Sequence, residues 1–79
     1  MLFSDLVKKE VLDVRANKVG YIDDVDLNVT KGTVFHYILK TGMFKKVHLA
    51  AGKVDKVGEK VILKITKDEA EGKTVGAVM

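Results

Sequence analysis

The chain contains no cysteine, no proline, no tryptophan and no glutamine, and a single arginine, Arg15. Without cysteine, neither a disulfide nor a thiolate metal centre braces the fold, and packing and hydrogen bonding must hold it. One arginine and five aromatic residues are a poor set of tools for reading nucleic acid, where guanidinium forks and stacking rings carry recognition. No apolar run approaches the roughly 18 residues that a membrane-spanning helix requires. The opening Met1-Leu2-Phe3-Ser4-Asp5 lacks the charged region and long apolar stretch of a secretory signal, so a cytoplasmic location is expected.

What is present fits one small domain. At 79 residues the chain buries only about 60 to 65% of the surface its unfolded form exposes, so a second packed face such as a dimer contact would add needed stability. The net charge of +3 arises from 14 basic and 11 acidic residues. All but one of the basic residues are lysines, a mixed-sign surface typical of a solubility device.

The hydrophobic pattern has the two-residue period of strands. Ser4 is placed to cap a short helical turn through Leu6 and Val7. Val11 to Val14 then forms a strand, and Ala16-Asn17-Lys18 turns it, with Asn17 as the residue suited to left-handed backbone. From Val19 to Val29 the odd positions Val19, Tyr21, Val25, Leu27 and Val29 are apolar and expected inside. Ile22 breaks the alternation, and a bulge or bend between Gly20 and Asp24 would return it to the core. Thr33 to Leu39 carries Phe35, Tyr37 and Leu39 on one face and Val34, His36 and Ile38 on the other. Pairing Leu39 with Val47 and Tyr37 with Leu49 matches the apolar face of Lys46 to Ala50. Ala51 to Val57 suits a short helical turn, and Lys60 to Thr66 a strand with Val61, Leu63 and Ile65 inward. Lys67 to Gly72 is read as a charged turn, and Thr74 to Met79 as an added edge strand or a frayed end.

The runs Val19-Gly20-Tyr21-Ile22-Asp23-Asp24-Val25-Asp26-Leu27 and Val54-Asp55-Lys56-Val57-Gly58-Glu59-Lys60-Val61-Ile62-Leu63, with the segment from Phe3 to Asp13, resemble the PRC-barrel family. That family is known from the H subunit of photosynthetic reaction centres and from a bacterial ribosome-maturation factor. The resemblance covers about residues 3 to 65 of a single domain spanning 1 to 79. It implies an all-β fold, a small, partly open β-barrel of five or six strands with a short helical turn. Two positions depart from the family pattern: Lys8 stands where many relatives have glycine, and Ala50 where many have proline.

Several constellations have residue types that could carry chemistry. His36 and His48 face the same side of neighbouring strands in the favoured register, without an evident third ligand, so no metal is expected there. Asp23, Asp24 and Asp26, with Asp13 nearby, form an acidic knot that lacks the loop and terminal glutamate of a calcium site. No nucleophile has a base beside it in sequence, and a barrel filled by its own side chains leaves little volume for a concave site, so no catalytic residue, metal or cofactor is expected. Lysines cluster as Lys8-Lys9, Lys45-Lys46 and Lys53-Lys56, the second pair beside Phe44, and read as a charged rim. Val34, Ile38 and Ile62, with Met43 and Phe44 at a loop tip, are apolar yet predicted to face outward, and form the candidate interface.

The resemblance implies a non-enzymatic adaptor that binds a protein partner, expected to be homodimeric and cytoplasmic. Short stand-alone members are common in archaea, and some are implicated in cell-division assemblies. The alternative the family suggests is an accessory factor in RNA processing or ribosome assembly.

Overall fold

The computed structural model describes residues 2–72. Its elements in chain order are α1 (Phe3–Leu6), β1 (Glu10–Leu12), β2 (Lys18–Asn28), β3 (Thr33–Lys40), β4 (Lys46–Ala50), a 3₁₀ turn (Ala51–Lys53), β5 (Val54–Val57), β6 (Val61–Leu63) and α2 (Lys67–Ala70). The six strands form one sheet in the order β4-β3-β2-β1-β6-β5. All pairings are antiparallel except that of β1 with β6. The two edges, β4 and β5, are joined by only the three-residue 3₁₀ turn, so the sheet must coil until its edges approach at one end. The result is a small, partly open barrel.

Single extra residues on one strand of a pair drive that coiling. Ile22 pairs with Leu39 and Asp24 with Ile38, which leaves Asp23 as the extra residue on β2 and keeps Ile22 in the core, as its break in alternation indicated. A second bulge sits on β3: Asp26 pairs with His36 and Leu27 with Val34, leaving Phe35 unpaired. It reverses the faces beyond it, so Val34 packs against the core while Phe35 is exposed. The expected inward positions of Tyr21, Leu27, Val29 and Phe35 are therefore corrected, since all four are exposed. The β3–β4 register, with Leu39 opposite Val47 and Tyr37 opposite Leu49, is as the pattern required.

The core comprises Leu6, Val11, Val19, Ile22, Tyr37, Leu39, Leu49, Val61, Leu63 and Ala70. Four local readings are also revised. Asp5, not Ser4, closes the first turn, its Oδ2 accepting from Leu2 N at 3.1 Å. Ala16, not Asn17, adopts left-handed backbone, with φ of 65°. Val54 to Val57 continues as a strand after a three-residue turn. Residues 67 to 70 form a helix, with Thr66 Oγ1 accepting from Glu69 N at 3.3 Å and Glu69 Oε1 accepting from Thr66 N at 3.0 Å. This reciprocal cap seats Ala70 in the core. The proposed edge strand from Thr74 to Met79 lies outside the described residues.

Both departures from the family pattern preserve the backbone. Lys8 has φ of 75°, the left-handed region glycine occupies without cost. Ala50 has φ of −59°, the value a proline ring enforces.

Candidate interaction surfaces

Asp13 is the most constrained polar group in the protein, only 2% exposed. Its Oδ1 accepts from Arg15 N and Asn17 N, both at 2.8 Å, which folds the β1–β2 turn around it. Its Oδ2 accepts from Lys67 N at 2.8 Å, tying that turn to the start of α2, and more weakly from Asn17 Nδ2 at 3.4 Å. Burial pushes the carboxyl up, but the donated hydrogen bonds from Asn17, Lys67 and Arg15 outweigh it and hold the group below the usual carboxylate range. Asp13 is thus a structural tie and not a member of an acidic knot.

The remaining aspartates disperse to separate partners. Asp23 pairs with Lys46 at 2.9 Å, Asp24 Oδ1 accepts from Val25 N at 2.8 Å, and Asp26 Oδ2 lies 3.4 Å from His36 Nδ1. The His36 ring also meets Phe35, centroids 4.3 Å apart. His48 sits opposite Ile38, diagonal to His36, in the register expected. Among the described residues no group of three or more His, Cys, Asp or Glu side chains is arranged to hold a metal ion.

Lysines around β1 are partly engaged. Lys60 and Lys18 both approach Glu10, Lys18 at 3.6 Å and Lys60 in close contact. These partners hold Glu10 below the usual carboxylate range, Lys60 more than Lys18. Lys18 also donates to Tyr21 Oη at 2.6 Å, its ammonium 4.5 Å from the ring centre.

Concavity does occur between the loops at one barrel end. One open depression of about 580 Å³ lies beside Asp13, Arg15 and Thr66. An adjoining one of about 720 Å³ runs between the start of β2 and the β3–β4 loop. Lys18 and Lys67 line both.

The five candidate interface residues are distributed unevenly. Met43 and Phe44 stand at the tip of the β3–β4 loop, 79% and 95% exposed. Ile38 is half-buried on the face of β3 opposite Tyr37 and Leu39. Ile62 is half-buried on β6, three strands away and so about 14 Å across the sheet, which separates it from Ile38. Val34 packs against the core, turned inward by the bulge at Phe35. In its place the far end of the β2–β3 hairpin exposes Leu27, Val29 and Phe35, a surface the strict alternation of these residues concealed.

The class defined by these features is a small, partly open β-barrel. A family model for the PRC-barrel domain matches residues 1–70, and the chain belongs to that family. PRC-barrel domains are interaction modules and are generally non-catalytic. No curated protein matches the chain at a significant level. Among the described residues no helix is long and apolar enough to cross a membrane.

Proposed function

We propose that this protein is a non-enzymatic adaptor which self-associates through one end of its β2–β3 hairpin and docks a protein partner with the other. The observation that carries this reading is the placement of exposed apolar side chains at both ends of β3. Leu27, Val29 and Phe35 lie at one end, and Met43 and Phe44 at the other. The strand between them is eight residues, about 26 Å. Clusters that far apart form two separate apolar patches, which suits a bridging module. The small core adds a reason for a symmetric dimer. The partner-facing end centres on Met43 and Phe44, with Ile38 at its margin. A cytoplasmic assembly of the kind built in archaeal cell division is the setting suggested by the family resemblance.

The second reading, an accessory factor acting on RNA, is favoured by Phe44 standing exposed beside Lys45. Fluorescence titration with structured ribosomal RNA at several salt concentrations separates the two. An adaptor binds such RNA only in the non-specific range, about 10⁻⁴ to 10⁻⁶ M by analogy with DNA, and loses it as salt rises. Tight, sequence-selective binding that survives physiological salt and vanishes when Lys45 and Lys46 become glutamate establishes the RNA role instead.

A further inference from the structure

The 720 Å³ depression at the partner-facing end has a charge pattern of its own. Three lysines line it, Lys18 from the start of β2, Lys40 from the end of β3 and Lys67 from α2, and no acidic side chain does. All three are exposed. Tyr21 and Met43 add apolar surface to the lining, which Gly20 and Thr41 help complete. At Gly20 the start of β2 packs tightly on the end of β3: a Cβ there would fall 2.2 Å from Lys40 O. Beside it the Thr41 hydroxyl is buried with no hydrogen-bond partner among the described residues.

We infer that this cleft binds an acidic peptide segment of a protein partner, seating one apolar side chain between Tyr21 and Met43 while its carboxylates face Lys18, Lys40 and Lys67. The inference rests on the adaptor reading and names the partner's chemistry. Charge complementarity selects an acidic ligand, since every charged side chain lining the cleft is a lysine, although Lys18 is shared with Glu10. The apolar lining selects a peptide over a nucleic acid. A single aromatic ring, Tyr21, lines the cleft, where single-stranded nucleic acid is held by a run of stacking platforms. Lysines, unlike arginines, do not dictate a planar bidentate partner, so carboxylates at varied positions along a peptide are accepted.

The test is a fluorescence anisotropy titration of the full chain with a labelled acidic peptide carrying a central leucine. A matched peptide with serine for leucine, and a single-stranded RNA of equal charge, serve as controls. The acidic leucine peptide is expected to bind best. Lys40→Glu combined with Lys67→Glu should weaken it by about tenfold or more, and Met43→Ser should weaken it as well. Lys31→Glu, at the opposite end of the hairpin, should change it by less than about twofold, because the charge there is beyond a Debye length. In the unaltered protein, amide resonances of Gly20, Thr41 and Gly42 should shift on titration. Equal binding of the serine peptide, preference for the RNA, an equal loss in Lys31→Glu, or shifts centred on the β2–β3 turn each overturn the assignment. Failure of the peptide to bind a protein that stays dimeric in light scattering removes this cleft and leaves the adaptor reading standing. A monomer that binds RNA tightly removes both.

Discussion

At the scale of single residues, Asp13 and Gly20 hold the barrel end together. Each Asp13 oxygen faces only donors, so Asp13→Asn, which turns one oxygen into an amide donor, leaves N–H groups opposed and unpaired. Loss of about 2 to 3 kcal/mol is expected in urea denaturation, nearly as much as for Asp13→Ala. The sign of its pH dependence follows from its depressed folded pKa. The unfolded carboxyl takes up its proton first as pH falls below about 4, so the stabilisation is full above that range and is lost as pH falls through the folded value. Asp13→Ala should therefore show a shallower loss of stability between about pH 4 and pH 2 than the parent protein. Gly20→Ala drives a Cβ into Lys40 O, and about 1 to 3 kcal/mol of destabilisation is expected from overpacking. An unchanged denaturation midpoint would show that the strands separate there at no cost. Asp13 was visible in the sequence as the end of the segment that carries the family resemblance and as one acid among four, but not as a tie. Its pairing with Lys67 N spans 54 residues, and no local pattern reports such a contact.

At the scale of elements, the legible features are those whose sequence pattern has one reading. Ile22 interrupts an alternating run, and only an extra residue such as Asp23 resolves it. Tyr37 and Leu39 match Leu49 and Val47 in one register alone. The bulge at Phe35 was hidden for the opposite reason: Phe35, Tyr37 and Leu39 alternate without fault, and their regularity conceals the switch that turns Val34 inward. Helix α2 carried a usable signal, threonine followed three residues later by glutamate, but its run is so charged that it reads as a turn. Ala70 entered the core unannounced because one small residue makes no periodicity.

The turn at Lys8 and the exit of β4 supply a paired prediction. Lys8 N donates to Ile22 O at 2.7 Å and Lys9 O accepts from Ile22 N at 2.9 Å, so left-handed backbone at Lys8 is what aligns α1 with the bulged strand. A lysine there stores about 1 kcal/mol or more of strain. Ala50 needs no N–H within the sheet: the hairpin bond from Thr41 N to Lys45 O sets an alternation in which its N–H points away from β3. Lys8→Gly and Ala50→Pro should each stabilise by about 0.5 to 1 kcal/mol, raising the thermal midpoint by a few degrees apiece. A fall in the midpoint for either would contradict the backbone assignment at that site.

At the scale of the whole molecule, the long axis of 39 Å against 26 and 25 Å reflects the β2–β3 hairpin running past its neighbours. β4 reaches only to the level of His36, and β1 pairs only with the beginning of β2, so the stretch from Leu27 to Phe35 projects as an arm. The family and barrel class were legible from two short runs, whereas the surfaces were not, because which side of a bulge faces solvent is decided in three dimensions. The central claim is that the two ends of this hairpin do different work, self-association at the arm and partner docking at the loop. Light scattering after size exclusion, at tens of micromolar protein, tests it most directly. The account predicts a mass of twice the 8.7 kDa chain for the parent protein, a folded monomer for Leu27→Lys combined with Phe35→Lys, and an intact dimer for Phe44→Lys. A monomeric parent protein, or a dimer that survives the arm substitutions and dissociates with Phe44→Lys, would contradict it.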